Sequence, residues 1–422
     1  VDIPALRVLS YRNYRLFFGG QTISLIGTWV TRLATSWLVY RLTGSAFLLG
    51  VIGFAGQIPT FLLAPLAGVW VDRLDRRKLL IVTQVLAALQ SGALAALTLT
   101  NRITLWEIAV LSALQGMINA FDMPARQAFV VEIIEDRTHL KNAIALNSSM
   151  VNVARLVGPA MAGVIVAAVG EGYCFLIDAL TYLAVIYSLL AMRVEVRQVR
   201  IGAGSMLQQL REGWEYVSRF FPVRVLLLLF ALGSFVGVPY TVLMPVFVSQ
   251  VLHAGPSTLG LLMGAAGIGS LFSGLVLMLR RSVRGLFRVV NFAAALFGVG
   301  LIAFSLTRTI WIGVLCLMLV GFGQILQFAG TSTLIQTLLP EDKRGRVMSY
   351  WTMAFMGAVP FGSLLAGGLA HLIGAPGAVL CCGLGCLAGA LWFRQQFPRL
   401  RKVIRPLYVE MGIIPAVPAE ES

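Results

Sequence analysis

Gly68-Val69-Trp70-Val71-Asp72-Arg73-Leu74-Asp75-Arg76-Arg77-Lys78 is the stretch on which the fold turns. It lies between two long apolar runs, residues 46–71 and 78–100, and it gathers cations where those runs stop. A membrane-spanning helix needs about 20 mostly apolar residues, whereas a barrel strand needs only about 9–11. Both runs fit the helix and overshoot the strand. The stretch therefore reads as a short water-facing turn between two helices that cross a bilayer.

The same rhythm continues outward in both directions. Candidate spans fall at 15–39, 46–71, 78–100, 104–130, 143–169 and 173–192, and again at 223–250, 257–280, 287–307, 310–337, 346–372 and 376–395. Composition agrees with this count. Of 422 residues, 58% are hydrophobic and 12% charged, and the mean hydropathy is +0.85. Ordinary soluble domains carry about 25% charged residues. The expected fold is an all-α membrane protein of twelve helices in two pseudo-symmetric six-helix bundles. The expected division is a first bundle at 1–192, a cytoplasmic linker with an amphipathic helix at 193–222, a second bundle at 223–395 and a cytoplasmic tail at 396–422.

A net charge of +15 would suggest nucleic acid in a soluble chain. Its distribution argues otherwise. With the N-terminus placed inside, twenty-seven of the thirty-three Lys and Arg fall in inside segments. Arg41, Arg102 and Arg308 fall outside, and Arg32, Arg126 and Arg155 lie within spans. Inside-facing loops attract basic residues. The expectation is a multi-pass protein of the inner (plasma) membrane with both termini cytoplasmic, partnered by the lipid bilayer and not by nucleic acid.

The five cysteines sit in apolar runs without ligand-like spacing, and His139, His253 and His371 are scattered. Neither a disulfide framework nor a metal site is expected. The first apolar run lacks a small-residue cleavage site. Met206 to Phe221 reads as an amphipathic interfacial helix, with partner docking as the sharper alternative. The tail after Pro398 turns from basic to Pro-rich and acidic and is expected to fray.

The halves repeat one another. Gly158-x-x-x-Ala162-Gly163 recurs as Gly362-x-x-x-Ala366-Gly367, Gly170 as Gly374, and Glu135-Asp136 as Glu341-Asp342. Gly68 before Arg76-Arg77 matches Gly274 before Arg280-Arg281. Repeated halves are a transporter signature, with the substrate path between them near the midplane.

The opening stretch resembles the signature loop of the major facilitator superfamily, with Asp75 where that pattern has a second glycine. The resemblance implies a cytoplasmic latch between halves, carried by Gly68, Asp72, Arg73, Arg76 and Arg77, and a loss of transport on Asp72→Asn. Asn152-Val-Ala-Arg155-Leu-Val-Gly158-Pro159-Ala-Met-Ala-Gly163 is similar to the Gly-Pro-rich span-five motif of the superfamily's antiporters. It implies close helix packing at Gly158, Pro159 and Gly163. Gln115-Gly116, Phe121-Asp122-Met-Pro124-Ala125-Arg126-Gln127 and Asn142-Ala-Ile-Ala-Leu-Asn147 look like the branch of enterobactin exporters and macrolide efflux proteins. Ser112 stands where proton-linked members often carry Arg, which weakens a proton relay through span four.

Intramembrane charges are functional candidates because each costs about 2.5–3.5 kcal/mol to insert. The acids are Asp122 and Asp178. Steps of three and four place Gln21, Ser24, Thr28, Arg32 and Ser36 on one helical face. Ser112, Gln115, Asn119, Asp122 and Arg126 share another, and Ser148, Asn152 and Arg155 a third. Depth along the spans pairs Arg32 with Asp178 and Asp122 with Arg155, and Asp122 and Arg126 are also neighbours at i, i+4. From Pro222 through Pro340 there is no Asp or Glu, so any proton-coupling carboxylate in the membrane belongs to the first half, with Asp122 the first choice. The second half offers Tyr240, Thr241, Gln324, Gln327, Phe328, Thr331, Trp351 and Phe355 as cavity candidates.

The expected function is secondary active export of an amphipathic or anionic small molecule by alternating access, with proton antiport. Siderophore export and lysolipid transport are the alternatives in class, and a non-transporting sensor or scaffold the alternative outside it. No nucleotide-binding loop appears, no polar loop carries a catalytic cluster, and no cofactor beyond a proton gradient is expected. The chain is expected to act as a monomer.

Overall fold

The structure is a computed structural model that describes residues 8–71, 73–134, 140–193, 206–280 and 282–411. Asp72, the Glu135-Asp136 repeat, Arg281, linker residues 194–205 and tail residues 412–422 lie outside the described residues. Among the described residues every regular element is a helix.

The first half holds α1 (Arg12–Thr43), α2 (Ala46–Val71), α3 (Arg76–Leu99), α4 (Leu105–Glu132), α5 (Leu140–Val169) and α6 (Glu171–Ala191). A connector helix, α7 (Met206–Arg219), follows. In the second half, α8 (Phe221–Leu232) and α9 (Tyr240–Gln250) form one crossing interrupted by a π-turn at Gly233–Gly237. Then come α10 (Pro256–Leu279), α11 (Leu286–Leu306), α12 (Ile310–Leu338), α13 (Glu341–Gln395) and α14 (Phe397–Glu410).

α13 runs for 55 residues, about 80 Å at 1.5 Å per residue, far more than a bilayer core of about 30 Å needs. Gly374 breaks it with φ 76° and ψ 162°. The left-handed φ suits glycine, and the break yields two limbs, 341–373 and 375–395, which run in opposite directions. Nine helices among the described residues are long and apolar enough to cross a membrane. Counting α13 as two and adding α1 and α4, with 32 and 28 residues, gives twelve helices of crossing length. α1 and α4 are the ones that carry Arg32 and the Asp122–Arg126 pair, which lower their hydropathy.

The halves are packed alike. α2 lies on α4, α3 on α4 and α6, and α1 on α6; correspondingly α10 lies on α12, α11 on α12 and α13, and α8–α9 on α13. Two seams join the halves, α5 against α10 and the first limb of α13 against α2. Each pairs the fifth helix of one half with the second of the other.

The two ends of the bundle differ. At the end away from the chain termini, a single hydrophobic core takes in both halves, from Val30, Leu38 and Ala162 to Phe247, Leu259 and Ala370. At the terminal end the core splits. Tyr14, Leu80, Phe129 and Leu189 form one cluster in the first half, and Val223, Leu286, Leu338 and Phe393 form another in the second.

The sequence reading is corrected at the tail. Residues 397–410 form a helix instead of fraying, because Leu400, Ile404 and Tyr408 recur every fourth residue. All three are buried against the terminal core of the second half.

Candidate functional site

A cavity of about 390 Å³ lies between the halves. That is within the range of small-molecule sites, about 300–1,000 Å³. Its wall draws on all six helices, α1 to α6, from one half, and on α9, α10, α12 and the first limb of α13 from the other. Thr28, Gln115, Asn119, Gln324 and Phe355 all face it, as do Arg32, Arg155 and Asp178. Gln115 Nε2 donates to Asn119 Oδ1 at 3.2 Å, one turn on along α4.

Four other candidates lie off the wall. Gln21 is buried on α1. Gln327, one turn beyond Gln324, points to α8, where its Nε2 donates to Leu229 O at 3.4 Å. Thr331 is buried on the same helix. Trp351 stacks on Phe230 with ring centroids 4.5 Å apart. Phe230 in turn packs against Phe328 and Phe355, so Trp351 backs the aromatic wall without reaching the cavity.

Of the charge pairings read from the sequence, the i, i+4 pair of Asp122 with Arg126 forms, whereas Asp122 with Arg155 and Arg32 with Asp178 do not form among the described residues. Arg126 Nη2 donates to Asp122 Oδ2. Asp122 Oδ1 accepts from Thr83 Oγ1 at 3.0 Å and from Gln84 Nε2 at 2.7 Å. Asp122 is thus held against α3, buried and away from the cavity. Asp178, 1% exposed, accepts from Ser91 Oγ at 2.8 Å, and among the described residues it makes no ion pair. Its Oδ1 is buried with no hydrogen-bond partner there.

Arg32 and Arg155 are left without carboxylates among the described residues. Both stack over the Trp29 indole, their guanidinium carbons 4.8 and 5.3 Å from the ring centroid. Sequence reasoning missed Trp29, although its position three residues before Arg32 puts both on one helical face. Ser91 and Tyr182, which meet Asp178 or line the cavity beside it, carried no sequence signal beyond ordinary span residues.

The Gly-Pro motif of α5 does two jobs. Gly158 abuts Trp29 and Ile26 of α1. Gly163 meets Gly260 across the seam, so closely that a Cβ on Gly163 would stand 2.8 Å from Gly260 Cα. Pro159 lines the cavity, and its carbonyl faces Gly260. Gly50 and Gly367 make the equivalent contact at the other seam.

At the terminal end, Gly68 has open space around it and Arg73 is exposed. Arg76 Nη1 bonds Glu132 Oε2 at 3.1 Å. Arg77 donates to the carbonyls of Leu189 and Leu190 at 2.8 and 3.0 Å. These bonds stay within the first half. Asp75 caps α3, its Oδ1 accepting from Lys78 N at 3.1 Å, which gives a structural use to the acid that replaces glycine.

Two alike six-helix halves around a shared cavity form a membrane transporter, not an enzyme. The chain belongs to the transmembrane secretion effector family of the major facilitator superfamily, whose sequence profile matches residues 4–404. It is 27% identical to the staphyloferrin A transporter of Staphylococcus aureus (strain NCTC 8325 / PS 47), over 92% of this chain and 97% of that one. It is 24% identical to macrolide efflux protein A of Streptococcus pyogenes, over 86% and 92%. It is 26% identical to the multidrug efflux pump Tap of Mycolicibacterium fortuitum, over 89% and 93%. Among solved structures, the nucleoside transporter NupG superposes with a TM-score of 0.70 at 14% identity, covering 92% of this chain and all of that one. The D-xylose-proton symporter gives 0.69 at 17%, covering 92% and 96%; both likenesses show the fold alone. The chain is a multi-pass membrane transporter of this superfamily.

Proposed function

We propose that this chain is a secondary active exporter of amphipathic small molecules that works by alternating access with proton antiport. It acts as a monomer in the inner membrane with both termini cytoplasmic. The observation that carries this reading is the asymmetry of the core: one shared cluster beyond the cavity, and two separate clusters on the terminal side. Such a shape suits a cavity loaded from the cytoplasm, the face toward which the cation asymmetry directs the termini. Tight glycine seams close the opposite face. Gly68, Asp72, Arg73, Arg76 and Arg77 form the latch of the opposite conformation, when the terminal ends of the halves meet.

Asp178 is the group that couples transport to protons. It lines the cavity, among the described residues its shell supplies hydroxyls and no cation, and a proton compensates a carboxylate in such a shell. Asp122 already has Arg126 for that purpose, so the structural role passes to Asp122 and the coupling role to Asp178. In inverted vesicles energised by a pH gradient, Asp178→Asn should abolish uphill accumulation while substrate binding persists. Retained accumulation by the folded variant rules out proton coupling through Asp178.

A further inference from the structure

The charged residues on the cavity wall are Arg32, Arg155 and Asp178. Asp178 faces Ser91, and neither arginine pairs with it. Arg32 lies deep in the span yet keeps an exposed surface, which it presents to the cavity. Arg155 is half-buried, and its Nε is buried with no hydrogen-bond partner among the described residues. Both guanidiniums sit over one indole, that of Trp29, and are therefore no farther apart than the sum of their two ring distances.

Two like charges this close repel each other, and a buried charge without a partner is costly. Stacking on Trp29 recovers only part of that cost. Other arginines of the first half take a carboxylate, as Arg126 takes Asp122 and Arg41 takes Glu171 at 2.8 Å. Arg32 and Arg155 stand apart from both. Their planar forks of N–H donors match the oxygens of a carboxylate. Across the cavity, the second half contributes no acid among the described residues; Tyr240, Phe328 and Phe355 supply aromatic surface there, with Thr241 and Gln324 as neutral polar groups. One wall therefore attracts an anion and the other an apolar or aromatic body.

We infer that Arg32 and Arg155, bracketing Trp29, form the substrate's anion-binding subsite, and that the cargo is an organic carboxylate with an aromatic or apolar body. This rests on the export reading and deepens it by assigning the sign of the cargo's charge. Free organic carboxylates are the intended class, as distinct from anionic lysolipids that enter from the bilayer. Each arginine contributes charge-assisted hydrogen bonds that exist only when the anion is bound. Arg32 reaches it from α1 and Arg155 from α5, so the anion also bridges two helices of the first half.

The test uses two dyes with the same xanthene body and opposite charge, fluorescein and rhodamine 6G. Fluorescence anisotropy with the full chain in lipid nanodiscs should show fluorescein bound at least about tenfold more tightly than rhodamine 6G, the worth of one charge-assisted hydrogen bond. Arg32→Gln and Arg155→Gln should each weaken fluorescein by about tenfold or more, and strengthen rhodamine 6G by removing a like charge. Arg32→Lys and Arg155→Lys keep the charge but not the fork, and should fall between the wild type and the glutamine variants in their preference for fluorescein. Thermal melting of each variant establishes that it is folded. The inference is overturned if the wild type prefers rhodamine 6G, or if folded glutamine variants bind fluorescein unchanged. It is equally overturned if oleoyl lysophosphatidate binds and fluorescein does not. Vesicle accumulation separates the two readings. Selective fluorescein binding with no accumulation of any probe sinks the export reading and leaves the subsite standing; accumulation of rhodamine 6G without fluorescein does the reverse.

Discussion

Arg126 pairs with Asp122 one turn earlier on α4, and the pair faces α3 instead of the cavity. Asp122 is 3% exposed and accepts from Thr83 and Gln84 as well, so both of its carboxylate oxygens are engaged. Removing one partner leaves the other charge stranded, which costs about 3–5 kcal/mol for a buried pair. Asp122→Asn and Arg126→Gln should each lower the melting temperature sharply. Asp122→Leu with Arg126→Met should recover part of the loss, because no charge is stranded, while Gln84 Nε2 still loses its acceptor. Thermal unfolding in detergent checks this. A double variant no more stable than the worse single one would mean that the pair contributes more than mutual neutralisation.

Asp75 N-caps α3 by accepting from Lys78 N. Loss of such a cap costs about 1 kcal/mol for alanine and a few tenths for glycine. Asp75→Ala should therefore destabilise more than Asp75→Gly, even though glycine is what the superfamily pattern carries there. The order of the two melting temperatures decides the matter, and the reverse order excludes the cap as the reason for the acid.

Long apolar runs made the helices legible, since a span of twenty residues leaves little choice of element. The break at Gly374 was legible too, as a gap between apolar runs. Side-chain partners were harder. Depth along a span suggested Arg32 with Asp178 and Asp122 with Arg155, but depth says nothing about which faces of neighbouring helices meet. α3 supplied Ser91, Thr83 and Gln84 to the two acids, and nothing in α3 distinguished those residues from ordinary polar span positions. A helical step of three residues likewise decides that Gln324 faces the cavity and Gln327 faces α8. Trp29 was readable beside Arg32, yet aromatic residues are so common in spans that spacing alone did not single it out.

Thr309 stands just before α12 at the end away from the termini, where it is exposed, and Arg73 and Gly345 are exposed at the terminal end. In a background without the native cysteines, Thr309→Cys should react with an impermeant maleimide from outside intact cells. Arg73→Cys and Gly345→Cys should react only in inverted vesicles. The cation asymmetry of the loops motivates the assignment of sides. Outside labelling of Arg73→Cys would reverse the topology and, with it, the direction in which the cavity is loaded.

The seam between α5 and α10 is set by backbone against backbone. A Cβ on Gly163 would stand 2.7 Å from Pro256 O and 2.8 Å from Gly260 Cα, and a Cβ on Gly260 would stand 2.6 Å from Pro159 O. Main-chain atoms within helices have nowhere to move, so a larger residue separates the helices. Overpacking of this kind costs about 1–3 kcal/mol, and the cost falls only on the conformer in which the seam is closed. Gly163→Val and Gly260→Val should therefore shift the population about tenfold toward the state open on that face, one factor of ten for each 1.4 kcal/mol or so. A cysteine at Ser36, on the cavity wall, reports the shift by labelling faster from outside. Transport should fall, because return to the closed state becomes limiting. Gly92→Val is the control, since nothing lies within 4 Å of a Cβ there, and it should leave the labelling rate at Ser36→Cys unchanged. If Gly163→Val and Gly260→Val behave like this control while remaining folded, the seam is ordinary packing and the gate lies elsewhere between the halves.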